Sequence, residues 1–330
     1  LKNQKLIIQL MRIKPIIIVS GEPNGIFYEI FFKSLKKKKF KSPLLLITSI
    51  RLFKKQMKKF KFKGEFNLLN NKNLNKLRIK KNINIINVDY NNSKNSIKNK
   101  IASKIYIKQC FDIAFSLLKK RITNKFINGP INKSSFLDKK FLGITEYISN
   151  KFNIKKNAML IYNKELSVCP LTTHLPLKFV SKKISKILIK EKVILINDFY
   201  VNNIGFKPKI GVTGLNPHCE SIDKFDEDNK IILPTIKFLK KKGYKIKGPF
   251  PSDTIFLNQN RKKFDVILGM YHDQVLAPIK TIKEYDAINI TLGLPFYRVS
   301  PDHGPNVKMM NKNLSNPLSL FQALKFLDQK

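Results

Sequence analysis

Six short apolar runs punctuate the chain, and each gives way at once to a polar loop. Pro15 to Val19 leads into Ser20-Gly21-Glu22-Pro23, Lys125 to Asn128 into Gly129-Pro130, and Leu166 to Leu171 into Thr172-Thr173-His174. Further along, Lys209 to Thr213 leads into Gly214-Leu215-Asn216-Pro217-His218, Phe264 to Met270 into Tyr271-His272-Asp273, and Ile288 to Leu292 into Gly293-Leu294-Pro295. Runs of about five apolar residues without alternation are the pattern of strands buried on both faces. Between them, residues 96–120, 176–200 and 228–243 mix lysines with apolar side chains at helical spacing and predict amphipathic surface helices. Strands alternating with helices predict an α/β fold with a largely parallel sheet. Ligands of such sheets sit beyond the carboxyl ends of the strands, and the Gly, Pro and His residues of this chain collect there. Residues 50–100, rich in Lys and Asn, read as loops or insertions.

Composition narrows the class. A chain of 330 residues with 43% hydrophobic residues can bury a substantial core and predicts two domains, or one domain with two lobes. The formal net charge of +42 raises nucleic acid or an anionic membrane as a partner. Only six of the 64 basic residues are Arg, however, and the lysines are spread along the whole chain with Asn, Ile and Phe. Runs such as Lys36 to Lys39 and Lys240 to Lys242 read as solvated helix ends and loops, not as a dedicated nucleic-acid platform. Cys110, Cys169 and Cys219 have no paired spacing and read as free thiols of a reducing compartment. No apolar stretch reaches bilayer length, since Arg12 and Lys14 interrupt the first, so a cytoplasmic protein is expected. Met11 stands just before the first strand, so residues 1–10 read as a misread start or an extension without a structural role.

The four histidines sharpen the picture. Taken singly, each reads as a loop residue bonded to its neighbours. But His174, His218 and His272 each follow a predicted strand directly, and three neutral imidazoles converging from different strand ends would hold a cation such as Zn²⁺, Co²⁺ or Mn²⁺. His303 lies in a turn-like cluster and reads as loop structure or a cofactor-side contact. The chain has neither a Walker loop nor Gly-x-Gly-x-x-Gly, so any phosphate is held otherwise. Lys280, Asn289 and Arg298 supply a point charge, an amide and a guanidinium fork in one segment, a set suited to a phosphate clamp.

The ordered blocks Ser20 to Ile26, Asn128 to Lys133, Thr172 to Pro176, Gly214 to His218, Pro251 to Thr254, Tyr271 to Gln274 and Asn289 to Arg298 resemble those of the 4-hydroxythreonine-4-phosphate dehydrogenase family of vitamin B6 synthesis. The resemblance runs from about residue 13 to residue 328. It implies an α/β fold similar to the isocitrate and isopropylmalate dehydrogenases. One discontinuous lobe on the cofactor side would span 1–125 and 275–330, and a central lobe 126–274 would carry the metal ligands. A homodimer whose subunits share the metal site is implied as well. By motif match, His174, His218 and His272 are the metal ligands and Thr145, Lys280, Asn289 and Arg298 contact the substrate. Asp253 and Asp273, in matching blocks, are expected as supporting or proton-handling carboxylates. The implied reaction is NAD-dependent oxidation of 4-phosphooxy-L-threonine, with NADP as the alternative cofactor and Zn, Mg or Co as the metal, followed by decarboxylation to 3-amino-2-oxopropyl phosphate. No cofactor-binding residue is assigned.

The chain departs from the family pattern at Ile144, where a His is usual, at Phe27-Tyr28 in place of Gly-Pro, and at Cys219-Glu220-Ser221 in place of Ala-Gly-Glu. Bulky residues there replace permissive loop positions. Two rival readings follow: a sibling dehydrogenase acting on another 4-phosphorylated sugar acid or a cyclic diol, and a noncatalytic basic protein that binds nucleic acid.

Overall fold

The computed structural model describes residues 13–70, 77–91, 95–132, 136–137, 140–222, 225–302, 304, 306–310 and 312–330. The readings made for residues 1–10 and for His303 fall outside the described residues. The chain packs as two compact units, residues 1–139 with 295–330, and residues 140–294.

In the first unit, β1 (Ile16–Val19), β2 (Leu44–Thr48), β3 (Phe66–Leu69), β4 (Ile83–Asn87) and β5 (Lys125–Asn128) alternate with α1 (Phe27–Lys37), α2 (Ile50–Lys59) and α3 (Ser96–Lys119). The second unit runs through α4 (Ile144–Lys151), β6 (Ala158–Tyr162), β7 (Ser167–Thr172), α5 (Lys186–Phe199), β8 (Ile210–Thr213), α6 (Leu233–Lys241), β9 (Ile246–Phe250), β10 (Val266–Tyr271), α7 (His272–Lys283) and β11 (Ile288–Leu292). The chain then returns to the first unit with β12 (Tyr297–Pro301) and α8 (Leu318–Asp328).

Strand order in the first unit is β3-β4-β2-β1-β5-β12, with every pair parallel. In the second unit it is β11-β6-β7-β10-β8-β9. There β7, β10, β8 and β9 run parallel, and β6 pairs antiparallel with both β7 and β11. The fold is therefore α/β with mainly parallel sheets and flanking helices, and all six apolar runs are strands. The units divide at 139/140 and 294/295, further along the chain than the expected 125/126 and 274/275. Strand pairing gives the reason: β5 lies between β1 and β12 in the first unit, while β11, which follows α7, pairs with β6 in the second.

The described residues of the 50–100 stretch are not mainly loop; they hold α2, β3, β4 and the start of α3. Asparagine conceals β4. Asn84 is fully buried because its side-chain amide donates to the Lys80 and Asn82 carbonyls while its oxygen accepts from Lys80 N and Asn67 Nδ2, so no polar group is stranded. The departures at Phe27 and Tyr28 are structural. Both are buried on α1, where Phe27 stacks on Phe31 and Tyr28 donates or accepts a 2.6 Å bond with Thr48 Oγ1. Tyr106 completes that polar knot with Ser20 and Thr48, and burial pushes the Tyr28 hydroxyl up to about 12. Gly21, at φ +78°, is required where the β1 loop meets the β5 loop: a Cβ there would stand 2.4 Å from the Pro130 carbonyl oxygen. Among the described residues, no helix is long and apolar enough to cross a membrane.

Candidate active site

Neighbouring strand ends build the centre of the second unit. β7 and β10 run parallel with Thr172 opposite Tyr271, and Thr172 Oγ1 donates to the Met270 carbonyl at 2.9 Å. The residues leaving each strand therefore emerge side by side. His174 follows β7, and His272 is the first residue of α7 after β10; their ring centroids lie 5.6 Å apart, tilted by 36°. His272 Nδ1 lies 2.6 Å from Asp273 Oδ1. A carboxylate only accepts, so Nδ1 donates and Nε2 is directed away from Asp273.

The loop after β8 is built just as firmly. Gln274, buried on α7, accepts from Thr213 Oγ1 and Met270 N and donates to the Gly214 carbonyl, all within 2.8 Å. Asp228 is fully buried and accepts from the amides of Leu215 and Asn216 and from Asn216 Nδ2. These bonds hold Gly214 to Asn216 and deliver an exposed His218 at φ 55°. His174 is likewise left-handed, at φ 48°. For non-glycine residues such backbone costs on the order of 1 kcal/mol or more and gathers at functional sites. Two of the three predicted metal ligands therefore stand on strained backbone.

The structure brings His174 and His272 together, and His218 is not part of that group. Among the described residues, no three His, Cys, Asp or Glu side chains form a metal-binding group. Asp253, exposed on the helical turn Ser252–Ile255, belongs with the His218 loop. The Cys219 thiol is pushed up to about 11, first by burial and then by Asp228, with Asp253 and Glu220 adding to the effect. Asp273 belongs with His272. The imidazole pair, with a carboxylate behind His272, suits a borderline-soft divalent cation.

The predicted substrate-contacting residues are distributed over both units. Thr145 is buried in the first turn of α4, which begins beside His174, since a Cβ on Gly143 would stand 2.9 Å from that ring's Cε1. Lys280 lies about two turns along α7 from His272, half-buried. Asn289 is half-buried on β11, and its Oδ1 is buried without a hydrogen-bond partner among the described residues. In the first unit, Arg298 is buried on β12 and donates from Nε to Asn128 Oδ1 on the neighbouring β5 at 2.9 Å. Sequence reasoning missed Asn128, Gln274 and Asp228 as supporting residues. Asn128 carried a signal, since it ends an apolar run, whereas Asp228 and Gln274 are visible only through the bonds they make.

An α/β scaffold with two imidazoles and a carboxylate at adjacent strand ends is the arrangement in which enzymes of this architecture bind small ligands. The family model "Pyridoxal phosphate biosynthetic protein PdxA" matches residues 39–327. The 4-hydroxythreonine-4-phosphate dehydrogenase of Sulfurihydrogenibium sp. is 35% identical over 315 residues, covering 93% of this chain and 95% of its own. The D-threonate 4-phosphate dehydrogenase of Pectobacterium atrosepticum is 34% identical over 207 residues, covering 59% of this chain and 63% of its own. A solved structure from Salmonella typhimurium, provisionally described as a 4-hydroxythreonine-4-phosphate dehydrogenase, superposes with a TM-score of 0.79 at 27% identity, covering 96% of this chain and 99% of that one. The chain belongs to the PdxA family of dehydrogenases. As a dehydrogenase family, it implies a nicotinamide cofactor.

Proposed function

We propose that the chain oxidises 4-phosphooxy-L-threonine with NAD and releases carbon dioxide to give 3-amino-2-oxopropyl phosphate, in pyridoxal phosphate synthesis. The observation that carries this reading is the His174 and His272 pair at adjacent strand ends, within a chain matched to the family over nearly its whole length. A divalent cation, Zn, Mg or Co, when bound, supplies a Lewis acid that favours loss of the substrate hydroxyl proton and later takes up charge as carboxylate leaves.

The residues themselves do the rest. Asp273 fixes the tautomer and orientation of His272. Asn128 holds the Nε edge of Arg298, so the guanidinium fork is pre-set for the substrate phosphate, with Lys280 as a second charge and Asn289 and Thr145 as polar contacts. A nicotinamide cofactor, when bound, would supply the hydride acceptor, and Asp253 and Asp273 are the groups proposed to take the hydroxyl proton. The keto acid so formed loses carbon dioxide. We assign His218 to the same metal site across a homodimer, supplied by a second copy of the chain, in line with its exposure and with the absence of a three-residue metal-binding group among the described residues of one chain.

A second reading is a sibling dehydrogenase for D-threonate 4-phosphate, favoured by Ile144. This residue is 6% exposed at the start of α4, where the family usually carries a His. NADH formation by metal-loaded protein on the two substrates decides between them. The expected result is a higher kcat/KM on 4-phosphooxy-L-threonine, and preference for D-threonate 4-phosphate would transfer the assignment to the sibling.

A further inference from the structure

Glu146 lies in the first turn of α4 next to Thr145 and has no role in the reading above. Its Oε1 accepts from Thr173 Oγ1 at 3.3 Å, which ties α4 to the residue immediately before His174. Its Oε2 is buried without a hydrogen-bond partner among the described residues. A lone buried carboxylate oxygen is costly unless something that binds at the site uses it.

Gly143 shows where that oxygen points. A methyl group on Gly143 would stand 2.7 Å from Glu146 Oε2, 2.9 Å from His174 Cε1 and 3.0 Å from His174 Nδ1. The carboxylate and the Nδ1 edge of the imidazole thus face each other across space that only a glycine leaves open. Meanwhile His174 sits ring to ring with His272, whose Nδ1 is already occupied by Asp273. The ammonium of Lys192, which donates to the Asn157 carbonyl, is within electrostatic range of Glu146.

We propose that Glu146 is a positioning residue for His174: when a cation binds, it closes on the imidazole, takes the Nδ1 proton in a hydrogen bond and so turns the Nε2 lone pair toward the cation shared with His272. The inference rests on the metal-site reading of the preceding section. Glu146 and Asp273 then play matching parts, one carboxylate behind each imidazole. Partners of this kind change metal affinity by about 10- to 100-fold when removed.

Binding of Co²⁺ and Zn²⁺ by the intact protein, measured by competition with a chromophoric chelator and by the Co²⁺ ligand-field spectrum, tests the proposal. Glu146→Ala is expected to weaken binding by about 10- to 100-fold and to shift the Co²⁺ bands. Glu146→Gln, whose amide oxygen still accepts from Nδ1, is expected to recover part of the loss. Gly143→Ala, which wedges a methyl group between the two side chains, is expected to resemble Glu146→Ala. Thermal melting of each variant separates these effects from misfolding. The proposal is overturned if folded Glu146→Ala binds Co²⁺ within about two-fold of wild type with an unchanged spectrum while His174→Ala loses the ion, because a carboxylate behind a ligand imidazole should matter by at least about ten-fold. Failure of the wild type itself to bind either ion would overturn the underlying metal-site reading along with it.

Discussion

Subunits carrying His174→Ala and subunits carrying His218→Ala, each inactive alone, are expected to regain about one quarter of wild-type turnover when co-assembled, the share set by random pairing in a two-fold dimer. If a site takes His174 and His272 from one copy and His218 from the other, a mixed dimer has one site with both mutations and one with none. Half of the dimers are mixed, and each holds one working site of two. Either variant alone loses a ligand from both sites. With several kcal/mol of charge stabilisation at stake, turnover should fall by about a thousand-fold. No recovery in mixtures shown to exchange subunits would place His174 and His218 of each site in the same chain. The geometry of the single chain motivates the test, because it pairs His174 with His272 and leaves His218 exposed outside that group.

Arg298→Ala should raise KM for the phosphorylated substrate by about 100-fold, the scale of a lost charge-assisted fork of roughly 3 kcal/mol. Arg298 is buried and anchored through Nε to Asn128, so the fork is oriented before substrate arrives. Arg298→Lys keeps the charge but cannot bond Asn128 through Nε and still present a two-pronged donor; its KM should fall between the two. Steady-state kinetics, with thermal melting to confirm folding, makes the measurement. A KM within about two-fold of wild type for folded Arg298→Ala, against the roughly 100-fold scale expected of a fork, would remove Arg298 from the substrate site.

The parts of the fold legible in the sequence were those whose burial is written in side-chain type. β1, β7, β8 and β10 are short, almost wholly apolar and buried in a parallel arrangement, so their composition alone marked them. β4 escaped because Asn84 satisfies its own polarity internally, and β9 because Lys247, Gly248 and Pro249 interrupt an edge strand that is only partly buried. β12 escaped because Arg298 and Ser300 interrupt its apolar pattern, yet the neighbouring Asn128 lets the guanidinium be buried.

The candidate site was legible to the extent that strand ends carry function. The meeting of His174 with His272 depends on β7 lying beside β10, an order no local pattern contains. Glu146 was invisible as a partner of His174 for a similar reason. The two are distant in sequence, and what joins them is the room left by Gly143 and the bond to Thr173.

Metal dependence of turnover tests the central claim most directly. Protein stripped with a chelator and given 4-phosphooxy-L-threonine and NAD should form no NADH, and addition of Zn²⁺, Co²⁺ or Mg²⁺ should restore it together with carbon dioxide in equal amount. NADH formation that persists at the wild-type rate in the stripped protein, with metal content confirmed as nil, would contradict the histidine-held cation on which the proposed chemistry depends.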